Sequence, residues 1–301
     1  MIKKSIWRGV IPAITTPFTS EGLVDHGFLA EHARTLISAG CVGIVPFGSL
    51  GEAATLGFEE KIAILRTLIG ALDGRAPVIP GIAALSTQEA VRLAREAEAI
   101  GCGGLMVLPP YVYASDWREM RAHVAAVIEA TRLPCMLYNN PVAYKTDFIP
   151  AQIAELAARF PNLAAVKESS ADVRRFAAIR ALAGDRLELL VGMDDAIVEG
   201  ISMGAVGWIA GLVNAYPRES ICLFELAQRG GAPAAAELYA WFLPLLRLDT
   251  GVKFVQLIKL AQAQVGLGSE FVRAPRLTLD GAERAEALAL IRQANAARPG
   301  A

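Results

Sequence analysis

Residues 86–108 read STQEAVRLAREAEAIGCGGLMVL, and the fold turns on how this stretch divides. Ser86 and Glu89 have the spacing of a capping box that opens a helix over Gln88–Ile100. Gly101-Cys102-Gly103-Gly104 then stops the helix, because glycine tolerates the left-handed backbone of a helix end, and the apolar run Gly104–Leu108 follows as a strand. The junction recurs. Gly40-Cys41-Val42-Gly43 and Gly204-Ala205-Val206-Gly207 each precede another apolar run, the echo of one repeated βα unit.

Working outward, strand-like runs fall at Val10–Thr15, Gly43–Gly48, Val78–Ala83, Gly104–Leu108, Cys135–Asn139, Ala164–Glu168, Glu188–Gly192 and Gly207–Gly211. Amphipathic stretches alternate with them, such as Glu59–Leu72 with Ile62, Leu65, Ile69 and Leu72 along one face. Eight runs in this alternation predict an α/β fold, a (β/α)8 TIM barrel. Past the eighth run only helices remain, near Glu219–Arg229, Pro233–Arg247, Val252–Val265 and Ala282–Ala297. No Pro/Gly/Ser-rich linker sets them apart. The chain is therefore expected to be one domain, with the barrel over 1–215 and the final barrel helix plus a C-terminal helical extension over 216–301.

Composition agrees. In 301 residues, 54% are hydrophobic and 20% charged, which suits buried parallel strands under helices and does not suit disorder. A net charge of −1 without a basic cluster or acidic tail gives no reason to expect nucleic acid or a membrane surface as partner. Lys3, Lys4 and Arg8 precede no apolar helical run, since Pro12 and Pro17 interrupt it, and no apolar stretch reaches the ~20 residues of a spanning helix. Cys41, Cys102, Cys135 and Cys222 are scattered and form no CxxC, so a reduced, cytoplasmic setting is expected, with neither metal cluster nor disulfide framework. His26, His32 and His123 have no metal-site spacing.

In such a barrel the chemistry lies where the strands end. Strand two ends in Gly48-Ser49-Leu50-Gly51-Glu52, strand five in Tyr138-Asn139-Asn140-Pro141 and strand six in Val166-Lys167-Glu168-Ser169-Ser170. Lys167 leaves an apolar strand for a mouth of low dielectric, and desolvation favours the neutral amine that a Schiff base requires. Taken alone it could equally cap the rim or pair with a carboxylate. Tyr138 could shuttle protons there or be a core tyrosine. The Gly48–Glu52 loop could hold a carboxylate on its amides and the Ser49 hydroxyl or be an ordinary βα turn. Their joint placement at one end favours the chemical reading. Asp194 and Asp195 are expected to cap the next helix, and Glu52 to brace the loop. Tyr239, Trp241, Phe242 and Phe254 are expected in core packing or a subunit interface.

The same motifs resemble the dihydrodipicolinate synthase/N-acetylneuraminate lyase family of class I aldolases: Gly48-x-x-Gly51-Glu52, Tyr138-Asn139-x-Pro141 and Lys167. The resemblance covers most of the chain, from Gly9-Val10-x-Pro12-Ala13-x-Thr15-Thr16-Pro17-Phe18 through Gly192, Asp194-Asp195 and Gly204-Ala205-x-Gly207 to Val272-Arg273-x-Pro275. It implies that Lys167 forms the Schiff base and Tyr138 transfers protons. It also implies that Gly48, Ser49 and the Leu50 amide grip a substrate carboxylate, while Gly192 and Ile209 line the pocket. It further implies a homotetramer built as a dimer of dimers, a small 2-oxo acid or imino acid as substrate, and no metal or organic cofactor.

This chain departs from the synthase pattern in three places. Leu50 replaces a threonine, Ala143 stands where the synthase has an arginine, and Tyr111-Val112-Tyr113 replaces a tyrosine pair, leaving Tyr113 as the expected relay tyrosine. Without that arginine a second substrate carboxylate loses its natural partner. The motifs look most like Δ1-pyrroline-4-hydroxy-2-carboxylate deaminases of hydroxyproline breakdown. A 2-keto-3-deoxy sugar acid aldolase or dehydratase, a dihydrodipicolinate synthase-like protein and a catalytically silent ligand-binding barrel are the alternatives.

Overall fold

The computed structural model describes residues 5–110, 113–230 and 233–299. Seven parallel strands form one sheet: β1 Gly9–Pro12, β2 Gly81–Ile82, β3 Leu105–Val107, β4 Cys135–Asn139, β5 Leu163–Glu168, β6 Glu188–Val191 and β7 Gly207–Ala210. Their order is β1-β7-β6-β5-β4-β3-β2, so successive strands are neighbours and the first pairs with the last.

The expected second strand, Gly43–Gly48, is not a regular strand among the described residues. It makes two isolated parallel bridges, Ala13 with Val45 and Ile44 with Val78. Its backbone still bonds both ways: the Val45 amide donates to Pro12 O and the Ile44 amide to Pro77 O, while the Ile79 and Gly81 amides donate to Ile44 O and Pro46 O. Prolines at 46, 77 and 80 remove three amide donors from this part of the ladder, which breaks it into bridges. Hydrogen bonding thus continues from β1 to β2 through a segment too interrupted to be a strand.

The α-helices are α1 His26–Ser38, α2 Phe58–Leu72, α3 Thr87–Ile100, α4 Trp117–Glu129, α5 Pro141–Tyr144, α6 Pro150–Arg159, α7 Arg174–Ala183, α8 Ile197–Ser202, α9 Pro217–Gln228, α10 Pro233–Leu246, α11 Phe254–Gln264 and α12 Gly281–Ala296. The glycine junctions behave as their sequence requires. Gly40, Gly101 and Gly204 have φ of +114°, +97° and +96°, a region where a β-carbon is strained. The α3 capping box is half formed: Ser86 accepts from the Glu89 amide at 3.2 Å.

Both faces of the sheet are covered. Ile11, Val107, Leu137, Val166, Leu190 and Trp208 are fully buried, and burying each aliphatic side chain contributes ~1.5–3 kcal/mol. After β7, α9 packs on α8 and β1, and α10 packs on α9 and α12. Phe242 is fully buried and stacks on Trp241 at 5.1 Å, with Tyr216 edge-on to both, so these tail aromatics pack within the chain.

Candidate functional site

β4 and β5 pair so that Tyr138 lies beside Lys167 and Asn139 beside Glu168. Since side chains alternate along a strand, the first pair faces one side of the sheet and the second the other. Lys167 is 6% exposed and Tyr138 4%, and the lysine Nζ sits 4.0 Å from the centre of the tyrosine ring. On the opposite face Asn139 Nδ2 donates to Glu168 Oε2 at 3.0 Å and to Asp147 Oδ1 at 3.1 Å, and Arg175 holds Asp147 with two bonds of 2.6 and 2.8 Å. Burial pushes the Glu168 carboxyl up. These contacts lock the two strand ends and so fix where the amine and phenol stand.

Gly192, just past β6, leaves room for that lysine. A β-carbon there would fall 2.7 Å from Lys167 Cε and 1.9 Å from Ser169 Oγ, too close for either. Ser169 follows Lys167 by two residues and shares its side of the chain. Its hydroxyl is buried and has no hydrogen-bond partner among the described residues. A buried unpaired hydroxyl costs roughly 1–3 kcal/mol, a penalty that a polar ligand group beside Lys167 would relieve.

Pro141 at the first helical position and Asn140 as N-cap start α5 directly after β4. The Asn140 carbonyl oxygen accepts from the Ala143 amide at 3.0 Å while its Nδ2 donates to Tyr138 Oη at 3.0 Å. One side chain therefore caps the helix and orients the phenol. At the other end of α5, Tyr144 meets Tyr138 edge-on, with ring centres 5.7 Å apart, and shares a short hydrogen bond with Ser49 Oγ.

The Ser49 loop is held from far along the chain. Glu52, with φ +54°, is 1% exposed and accepts from Lys259 Nζ of α11 at 2.6 Å and from the Arg273 amide at 3.1 Å. Lys259 also donates to Thr16 O and Phe271 O, and burial lowers its pKa against the pull of Glu52. Glu52 braces the loop as expected, through an ion pair rather than a helix start.

Asp194 does not cap a helix. It is fully buried, and its carboxylate accepts from Trp208 Nε1 at 2.9 Å, the Gly211 amide at 3.1 Å and the Leu212 amide at 2.7 Å, pinning the turn after β7. The cap reading fails because the Asp194 oxygens are taken by donors in β7 and in the turn after it. Burial raises its pKa to about 6, opposed by those donors and by the charge of Lys167.

Comparison with known proteins follows the same lines. The profile of the Dihydrodipicolinate synthetase family matches residues 6–294. The chain belongs to this family. The family's members are class I aldolase-type lyases. Among its curated relatives is a 4-hydroxy-tetrahydrodipicolinate synthase of Geotalea daltonii, 30% identical over 292 residues, which are 96% of this chain and 99% of that protein. Another, from Sorangium cellulosum, is 33% identical over 96% of this chain and 97% of its own. Solved structures agree: dihydrodipicolinate synthase from Aquifex aeolicus has 26% identity and a TM-score of 0.91 over 96% of this chain and 98% of its own. A prophage family protein from E. coli K12, solved in complex with pyruvate, has 29% identity and a TM-score of 0.90 over 97% of this chain and 99% of its own.

Within this family member, the residues expected at the site divide. Lys167, Tyr138, Ser49 and Gly192 converge on it directly or through Tyr144, and Gly48 and Leu50 flank Ser49 in the loop. Ile209 is buried in β7, two residues before Gly211. Tyr113 does not join them within the chain. It is 55% exposed and lines a groove with Pro110 and with Glu119 and His123 of α4. Tyr111 and Val112 lie outside the described residues, as do Lys3 and Lys4. Tyr144 takes the place beside Ser49. Tyr144 was expected only among the residues, with Tyr113, Ala143 and Lys145, that would read the distal half of a substrate, and no role was expected for Ser169 or Lys259; for Tyr144 a usable signal was the Asn140-Pro141 helix start, which places a side chain three residues on back over the strand end. A cavity of about 620 Å³ between α9 and α10, lined by Cys222, Leu238 and Trp241 among others, shares no lining residue with this site.

Proposed function

We propose that the protein is a Schiff-base enzyme in which Lys167 is the nucleophile, Tyr138 the proton-transferring group and Ser49 with the Leu50 amide the grip on a substrate carboxylate. The observation that carries this reading is the Lys167 amine held against the Tyr138 ring at 4.0 Å in a nearly closed site. A phenol so placed can move protons as the carbinolamine forms and collapses. The Ser49–Tyr144 bond offers a route for those protons from within one chain.

The substrate we assign is Δ1-pyrroline-4-hydroxy-2-carboxylate. Ala143 is exposed at the position where the synthase carries arginine, so a second carboxylate has no guanidinium to meet it. Lys167 attacks the C=N carbon, and the ring opens as its nitrogen takes up a proton and leaves as an amine. Loss of a C3 proton gives the enamine, which expels the 4-hydroxyl as water. Proton transfer from C5 then yields a terminal imine, and hydrolysis releases ammonia, freeing 2,5-dioxopentanoate from the lysine. One water is consumed in balance. The Ser169 hydroxyl, buried beside Lys167 and unpartnered among the described residues, is suited to a hydroxylated substrate.

The second reading is the condensation for which the curated relatives are named, favoured by identities of 30–33% over nearly the whole chain. Incubating the pure protein with the pyrroline acid should release ammonia, and no release sinks the deaminase assignment. Borohydride with pyruvate should add mass at Lys167; an unmodified lysine leaves only a ligand-binding barrel. The family resemblance also favours a cytoplasmic homotetramer built as a dimer of dimers, which analytical ultracentrifugation tests.

A further inference from the structure

The tip of the Tyr138 side chain is held by Asn140, the one position that the Tyr138-Asn139-x-Pro141 motif leaves open. The Ala143 amide donates to Asn140 Oδ1 at 3.0 Å. An N–H needs an acceptor, so this cap settles which way round the side-chain amide lies. Nδ2 is therefore the atom 3.0 Å from Tyr138 Oη, and in that bond the phenol oxygen accepts. The ring itself is held as firmly. Lys167 Nζ lies 4.0 Å from its centre, and the Tyr144 ring meets it at 90° with centres 5.7 Å apart.

A phenolic O–H lies near the plane of its ring and has two directions open to it. The Asn140 donor takes one of them. The Tyr138 hydrogen turns to the other, where it has no protein acceptor among the described residues. An oxygen on a carbon joined to Lys167 would supply that acceptor. Once the proton has gone, the same Asn140 bond runs from a neutral donor to an anion, and such bonds are roughly twice as strong as neutral ones. Tyr138 is 4% exposed, so little water competes for the charge.

We propose that Asn140 is a positioning residue for the Schiff-base step: its Nδ2 turns the Tyr138 proton toward the oxygen leaving C2 of a 2-oxo acid, then holds the phenolate that remains. This rests on the Schiff-base reading of Lys167. In the step, the carbinolamine nitrogen's lone pair forms the C=N bond and the C2–O bond breaks. The oxygen takes the phenolic proton and departs as water, leaving an iminium and a phenolate. The phenolate then takes a proton from C3, the C–H pair becomes the C2=C3 bond, and the C=N π pair returns to nitrogen. The phenol is restored.

The test follows deuterium entering the methyl group of pyruvate from D2O, which reports the enamine. Asn140→Asp keeps an oxygen for the Ala143 amide but puts an acceptor where the donor was, so the phenolic hydrogen turns to it and away from the substrate. The kcat for exchange should fall about 10–100-fold, with KM little changed. In a Tyr138→Phe chain, itself slower than the parent, the same substitution should cost less than about twofold, since the group it acts through is gone. Equal losses in both backgrounds mean that Asn140 serves only as a cap and overturn the proposal, as does a parent-like rate in Asn140→Asp. Failure of the Schiff-base reading looks different: the parent itself exchanges no deuterium and gives no borohydride adduct at Lys167, and the proposal falls with it.

Discussion

At the scale of single residues, Gly192 makes the sharpest demand. Its missing β-carbon is where Lys167 Cε and Cγ and the Ser169 hydroxyl converge. Gly192→Ala should therefore push the lysine off its place over Tyr138, and a displacement near 1 Å costs on the order of 10²-fold in rate. The measurement is the rate of borohydride trapping with pyruvate, alongside a circular dichroism spectrum that stays that of the parent. Undiminished trapping means that the lysine does not need this space. That Lys167 and Tyr138 stand side by side was legible in the sequence because each ends an apolar run of a neighbouring strand. The contact of Asp249 with Gly211 was not, since the aspartate lies 39 residues past the last strand and only the fold brings the two together.

At the scale of elements, β4, β5 and α5 bring Lys167, Tyr138 and Tyr144 together, and α11 holds the loop whose Ser49 bonds Tyr144. The Glu52–Lys259 pair is almost wholly buried, with side chains 0% and 2% exposed, so removing one partner strands a charge in the interior. Lys259→Met should lower stability by about 3–5 kcal/mol, seen as a lower urea midpoint. Adding Glu52→Gln should recover part of that loss, because the stranded carboxylate is gone. A double variant as unstable as the sum of the singles argues against direct coupling. Six helices were legible from period and punctuation: α2, α3, α9, α10, α11 and α12 start and stop within two residues of expectation because glycine, proline and capping residues mark their ends. The Gly43–Gly48 strand was not, since an apolar run does not reveal that prolines in it and in its partner thin the ladder. A four-residue helix such as α5 shows no period at all.

At the scale of the whole molecule, two buried groups set opposite responses to acid. His32 is 3% exposed, contacts Asn214 and Gln262, and burial lowers its pKa from 6.5 to about 4. Its stabilising contribution is present above pH 6.5 and is lost as pH falls toward 4, because the unfolded chain binds the proton first. Asp194, raised from 3.8 to about 6, works the other way: its contribution is full below pH 3.8 and is lost as pH rises through 6. Each spans ~3 kcal/mol at about 1.4 kcal/mol per pKa unit, so between pH 4 and 6 they largely offset. His32→Gln should remove one side of the balance, and its urea midpoint should climb relative to the parent's as pH drops from 7 to 4. Parallel curves would falsify this.

The Glu52 clamp also has a consequence in time. The Ser49 loop leaves a ribosome well before its anchors, which lie 207 and 221 residues after Glu52, at Lys259 and the Arg273 amide. At roughly 5–20 residues per second, the loop waits on the order of 10–40 s for them. Until they emerge, Glu52 stays hydrated and the Ser49 loop unanchored. A nascent chain halted before Lys259 should thus carry Lys167 and Tyr138 without binding a 2-oxo acid, and competence should arrive only once both anchors have emerged.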